Sequence, residues 1–216
     1  MIHNFMSHAW PLQDIFAKDN NKEIIYNGEG VLSDEEIDSL IQRVDKNVVA
    51  GEIDTDEEGK ATRIDKRTRD SNVHFLSIED ETNHDVYKKL TSMVNLINND
   101  CYHYSLLFLQ EMQYTRYDSS EKGDGFYGLH TDGNMHKTGW LNRKLSFSLQ
   151  LSDPEEYTGG ELMLYCNAGL GNAYTVTAPK KKGLITFFPS ITPHEVKPIS
   201  KGTRRSLVGW VMGPDL

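Results

Sequence analysis

A chain of 216 residues, 38% hydrophobic and 25% charged, has the balance of a globular domain rather than of a disordered segment. Its formal charge of -9 runs against non-specific binding to nucleic acid or anionic lipid, which draws on an excess of Lys and Arg. No apolar run approaches the roughly 18 residues of a membrane span, the first residues lack the apolar core of a signal peptide, and Cys101 and Cys166 form no CxxC knuckle. The expectation is a soluble, cytoplasmic protein with two free buried thiols and with no nucleic-acid or membrane partner.

The first thirty or so residues are mixed, with Ile24-Ile25-Tyr26 before Asn27-Gly28 reading as a short strand that ends in a turn. Ser33-Asp34-Glu35-Glu36 then forms a capping box, in which the serine hydroxyl accepts from the backbone three residues on and Glu36 reaches back. Ile37, Leu40, Ile41, Val44 and Val48 make one apolar stripe, so an amphipathic helix follows. Residues 52–70 are dominated by charge and contain Gly59, and they read as a surface loop. A second helix is expected over 83–99, with Val86, Leu90, Met93, Val94 and Ile97 as its buried face.

After Asp100 the pattern changes to strands. Residues 104–117 alternate and are rich in aromatics, 119–125 form a turn-rich break, and Leu145, Phe147, Leu149 and Leu151 alternate with Ser146, Ser148 and Gln150. Short strands over 161–165, 184–188 and 204–211 complete the series. Helices first and strands afterwards predict an α+β chain whose second half is an antiparallel sandwich or barrel. Residues 1–100 are then a helical and mixed support region of the same domain, and residues 101–216 its core.

Three features of the strand-rich half carry chemistry. In His130-Thr131-Asp132 an extended backbone turns the imidazole and the carboxylate to one face. His194, far along the chain in Pro193-His194-Glu195-Val196, offers a third ligand from another strand. Two imidazoles and one carboxylate on one side of an ion leave its other side open, the arrangement of non-haem Fe(II) oxygenases. Arg204, with Ser206 two residues on, presents a planar fork of donors suited to a carboxylate.

With these in place the sequence resembles the 2-oxoglutarate and Fe(II)-dependent dioxygenases, in their prolyl 4-hydroxylase-like, PKHD-type branch. The resemblance runs from Tyr117 to Trp210: Phe126-Tyr127-Gly128-Leu129-His130-Thr131-Asp132, Leu149-Gln150-Leu151-Ser152-Asp153, Gly159-Gly160-Glu161-Leu162, Phe187-Phe188-Pro189, Pro193-His194-Glu195-Val196 and Lys201-Gly202-Thr203-Arg204-Arg205-Ser206. Arg69-Asp70-Ser71 also resembles an element of the branch. It implies a double-stranded β-helix (jelly roll) with the N-terminal helices packed on one sheet. His130, Asp132 and His194 would ligate iron. Arg204 would pair with the distal carboxylate of 2-oxoglutarate, where collagen-type relatives carry Lys; Tyr117 would donate to the same carboxylate, and Ser206 would assist. Strand parity turns Arg205 away.

The activity implied is hydroxylation of a peptidyl residue, proline foremost, with O2 consumed, succinate and CO2 as co-products, and ascorbate as reductant. The same chemistry on a free amino acid or small molecule is the alternative, as is a jelly-roll module that binds metal or ligand without turnover. His136 reads as a loop residue outside the ligand set, and Lys180-Lys181-Lys182 as a solvated turn. The segment 133–142, with Trp140, and the charged loop 52–70 are expected to shape substrate access.

Overall fold

The structure, a computed structural model, describes residues 24–54, 62–63, 66–120, 123–133, 141–166 and 173–214. In chain order, β1 (Tyr26–Gly28) leads to α1 (Asp34–Val44), then β2 (Val49–Ala50), a hairpin of β3 (Ile53–Asp54) and β4 (Thr62–Arg63), β5 (Arg69–Asp70) and β6 (Asn72–Leu76). After α2 (His84–Ile97) come β7 (Phe108–Leu109), β8 (Met112–Ser120), β9 (Gly123–Asp124), β10 (Phe126–His130) and β11 (Leu141–Gln150). The chain closes with β12 (Tyr157–Gly159), β13 (Leu162–Cys166), β14 (Tyr174–Thr177), β15 (Ile185–Pro189), β16 (His194–Val196) and β17 (Ile199–Pro214).

The capping box forms as the sequence implies. Glu36 N–H donates to Ser33 Oγ at 3.3 Å, and Ser33 N–H donates to the Glu36 carboxylate at 2.9 Å, satisfying donors that a helix start otherwise leaves orphaned. The stripe ends at Val44, because Asp45–Asn47 tighten into a 3-10 turn; Val48 therefore lies in extended chain. α2 ends at Ile97 and runs into a π-turn over Asn98–Tyr102, closed by His103 at φ 56°.

Among the described residues the strands form one ten-stranded antiparallel sheet with the spine β1-β15-β11-β17-β8-β6-β2, and a five-stranded sheet in the order β14-β13-β16-β10-β5. The two helices pack on the outer face of the large sheet. There Ile37, Leu40, Leu90 and Val94 meet Leu145, Phe147 and Leu149 in one buried cluster. Each of those strand side chains is at most 1% exposed, and full burial of such a group contributes about 1.5–3 kcal/mol. The alternate residues of β11, Ser146, Ser148 and Gln150, are also buried, because the opposite face of the strand looks between the sheets. No described helix is long and apolar enough to cross a membrane. The architecture is the α+β double-stranded β-helix with N-terminal helices on one sheet.

Two stretches differ from expectation. The expected surface loop over 52–70 is not one throughout: β3 and β4 pair with each other, and β5 pairs with β10, with Arg69 only 6% exposed. Residues 55–61 and 64–65 lie outside the described residues. The expected break at 119–125 instead prolongs β8 to Ser120, with β9 folding back on it. Charge misled over 69–70, because pairing of β5 with the distant β10 overrides local propensity, whereas β3–β4 and β8–β9 are local hairpins.

Beneath the large sheet Asp45 joins α1 to the strands. Tyr114 Oη donates to it at 2.6 Å, and Arg205 and Arg116 approach to 3.4 and 3.5 Å. Burial alone would raise its pKa; the Tyr114 hydrogen bond and the two guanidiniums outweigh this and hold it below the usual carboxylate range. A depressed folded-state pKa stabilises above the unfolded value, and the contribution is lost as pH falls through the folded one. Asp45→Asn should therefore cost about 1–3 kcal/mol at neutral pH. The deficit should narrow in acid, as read from urea melts across pH. A deficit that stays constant down to the acid limit would refute this account.

Candidate active site

The site is built where β10 and β16 run antiparallel. Their register sets His130 directly opposite His194. β10 ends at His130, and the chain turns so that the Asp132 and Gly133 N–H groups both donate to Ser190 O, at 2.9 and 2.8 Å. Ser190 is braced in turn by a 2.8 Å hydroxyl pair with Ser146 of β11. Asp132 thereby faces both imidazoles: its Oδ1 lies 3.8 Å from His130 Nε2 and its Oδ2 3.6 Å from His194 Nε2.

The protonation of the imidazoles follows from their other nitrogens. His130 Nδ1 lies 2.8 Å from Gly128 O and His194 Nδ1 2.9 Å from Thr192 O. A carbonyl only accepts, so each Nδ1 donates to it, and each Nε2 is the nitrogen turned to the space beside Asp132. Burial, with His194 alongside, pulls the His130 pKa well below its ordinary value, so the ring is neutral and ready to ligate. Tyr127 stacks on His130 with centroids 3.7 Å apart, and Phe188 packs against His194 at 4.8 Å. The ligand atoms of His130, Asp132 and His194 lie within 4.8 Å of one another, a spacing that one divalent ion can bridge. Two imidazoles plus one carboxylate is a donor set that fits Fe(II).

These groups line a cavity of about 650 Å³ between the sheets. Arg204 and Ser206 on β17 and Tyr117 on β8 lie on its wall. Arg204 is 4% exposed, and among the described residues no carboxylate forms an ion pair with it; its Nη1 donates to Ser206 Oγ at 3.3 Å, and its Cζ lies 5.5 Å from the Tyr117 ring centroid. A buried guanidinium without an anion is costly, which marks this end of the cavity as an anion receptor. Burial pushes the Tyr117 phenol pKa up, so it remains a donor. Arg205, one residue on, points to the opposite face and pairs with Asp45 and Glu156, each at 3.4 Å. Gly160 closes over the Arg204 stem with φ 66°; a Cβ there would lie 2.1 Å from Ile199 Cδ1 and 3.1 Å from Arg204 Cδ.

The structure thus brings His130, Asp132 and His194 together, and sets Arg204, Tyr117 and Ser206 on one wall of the same cavity. His136 and Trp140 lie outside the described residues, as do residues 134–140 of the expected access loop. The lysines at 180–182 are each matched by an acid, Glu161, Glu29 and Asp38 respectively, at 2.7 Å or less. Sequence reasoning missed Arg69 as a cavity residue. The available signal was Arg69-Asp70-Ser71, in which strand parity sets arginine and serine on one face; Arg69 Nε does donate to Ser71 Oγ, at 2.6 Å. It also missed Arg143, which lies over the Trp210 ring at 4.1 Å on the cavity wall.

Residues 112–212 match the family model of the 2OG-Fe(II) oxygenase superfamily. The PKHD-type hydroxylase YbiX of Escherichia coli O1:K1 is 24% identical over 195 residues, 87% of this chain and 78% of that protein. A prolyl-4-hydroxylase of Pseudomonas putida superposes with a TM-score of 0.64 at 19% identity, over 87% of this chain and 91% of its own. A prolyl hydroxylase of Trichoplax adhaerens, solved with a hypoxia inducible factor peptide fragment, gives 0.67 at 18% identity, over 89% and 85%. At these identities the solved structures speak for the fold. Taken with the matched family model and the facing imidazoles and carboxylate, they lead to one conclusion: residues 112–212 carry the match to the 2OG-Fe(II) oxygenase superfamily, and the chain is similar to the PKHD-type, prolyl 4-hydroxylase-like branch of it.

Proposed function

We propose that this enzyme hydroxylates a peptidyl residue, with proline the first candidate, using Fe(II) held by His130, Asp132 and His194. Arg204, Tyr117 and Ser206 hold the distal carboxylate of 2-oxoglutarate, and ascorbate serves as reductant. Residues 101–216 are the catalytic core and residues 1–100 its support. A cytoplasmic setting belongs to the same reading, since both cysteines are free. The observation that carries it is a single cavity shared by the three proposed ligands and an Arg204 that has no ion-pair partner among the described residues, with space left for a second substrate.

Bound iron and 2-oxoglutarate would activate O2, the oxidant: one of its oxygen atoms enters succinate as CO2 leaves, and the other turns the substrate C–H into C–OH. The chain's own residues bind, orient and exclude water. Gly128 O and Thr192 O lock the imidazole tautomers, and the Ser146–Ser190 pair steadies the turn that aims Asp132. Phe188, Leu162 and Val196 present apolar surface to the cavity and keep water from the reacting centre.

The choice of a peptide is supported by the Trichoplax relative, whose structure holds a peptide fragment. The test is succinate release with Fe(II), 2-oxoglutarate and ascorbate, stimulated by proline-containing peptides, together with the mass gain of one oxygen atom on the peptide. Stimulation by free amino acids alone would move the substrate to a small molecule. No turnover with any of them, while metal and 2-oxoglutarate still bind, would leave a non-catalytic module.

A further inference from the structure

Two deeply buried guanidiniums border the cavity, and the proposed function uses only Arg204. The other is Arg69 on β5, at the edge of the small sheet and opposite Tyr127 of β10. Its Cζ lies 4.6 Å from the Tyr127 ring centroid, and that same ring stacks on His130. One phenol ring thus carries the ligand imidazole on one face and, since two groups cannot share a face at these distances, the guanidinium on the other. The positive charge of Arg69 is felt at both His130 and Tyr117.

The hydrogen bonds of Arg69 are incomplete. Nε donates to Ser71 Oγ at 2.6 Å and Nη1 to Glu52 O at 3.2 Å, both neutral acceptors. Nη2 is buried with no acceptor, the one such side-chain nitrogen or oxygen among the described residues. No carboxylate among them forms an ion pair with Arg69; its neighbour Asp70 is taken by Lys66 at 3.1 Å. Arg143, the third guanidinium on the wall, is less buried, laid on Trp210 and bonded to Gln110. A cation held rigidly at its stem, short of one acceptor and short of an anion, is a receptor waiting for a carboxylate.

We infer that Arg69 receives a carboxylate of the primary substrate, so that the molecule oxidised beside 2-oxoglutarate is an acid: a free acid, or the C-terminal residue of a peptide. This rests on the oxygenase reading and narrows it, because an internal residue with a neutral side chain, proline included, offers only neutral carbonyls. Ser71 and Glu52 O set the plane of the guanidinium, and Tyr127 sets its distance from His130. A carboxylate drawn from the cavity to this guanidinium would then be held at a fixed distance from His130 across the Tyr127 ring.

The test is equilibrium binding without turnover. The protein is first titrated with Mn(II), an unreactive stand-in for Fe(II), and 2-oxoglutarate; failure at this step sinks the oxygenase reading itself. The loaded protein is then titrated calorimetrically with a panel of N-acetyl amino acids and short peptides, each as free acid and as C-terminal amide. The tightest ligand should be an acid, bound at least about tenfold more tightly than its own amide, the scale of one charge-assisted contact. In Arg69→Gln that ratio should fall to near one, and Arg69→Lys, which keeps the charge, should restore part of it. Peptide acids outrunning N-acetyl amino acids identify a C-terminal residue as the source, and the reverse identifies a free acid. Equal binding of acid and amide in the wild type, no binding of any probe, or a ratio unchanged in Arg69→Gln would overturn the inference. The wild-type ratio needs no variant, so it stands even if Arg69→Gln folds poorly.

Discussion

Asp132→Ala should lose metal binding and 2-oxoglutarate turnover together. Among the described residues Asp132 supplies the only carboxylate paired with the two imidazoles, and its oxygens stand 3.8 and 3.6 Å from the Nε2 atoms of His130 and His194. Changes to groups that merely orient a metal ligand cost about 10–100-fold in affinity, so removing Asp132, which we propose as a direct ligand, should cost at least about a hundredfold. Mn(II) calorimetry and succinate release should fall in parallel. The apo fold should survive, because Asp132 is held in its turn by its backbone N–H to Ser190 O, which alanine retains. Unchanged metal affinity in a folded Asp132→Ala protein would remove Asp132 from the ligand set.

Arg204 and Arg205 are adjacent and should behave oppositely. Arg204→Gln should raise the KM for 2-oxoglutarate about ten- to a hundredfold, since a charge-assisted contact is worth about 1.5–3 kcal/mol and each 1.4 kcal/mol is tenfold. Metal affinity without co-substrate should be unaffected. Arg205→Gln should leave that KM alone and instead lower stability by up to about 1 kcal/mol, because its pairs with Asp45 and Glu156 lie at the partly exposed rear of the sheet. If Arg205→Gln raised the KM and Arg204→Gln did not, the strand would have been read one residue out of phase.

Much of this site was legible before any coordinates. His130-Thr131-Asp132 is a local pattern: two residues apart on extended chain share a face, whatever lies around them. The same parity, applied to Arg204, Arg205 and Ser206, separates the arginine that looks into the cavity from the one that looks out. The capping box at Ser33 and the alternation of β11 are equally local, which is why α1 and the central strand appear where expected. Arg69 shows the limit. Its neighbourhood is charged and turn-rich, so composition reads as a loop, and only pairing with Tyr127 across β5 and β10 buries it.

The amino-acid order alone thus settled which side chains could serve as ligands, where the helix begins, and which face of each strand is apolar, because periodicity and capping act over a few residues. Only the folded chain could decide that His130 stands opposite His194, that Ser190 O holds Asp132 between them, and that a second buried guanidinium closes the far side of Tyr127. Those relations join residues far apart in the chain. They depend on sheet register and on how the two sheets close, and such quantities are set by the packing of the whole domain rather than by any local run of residues.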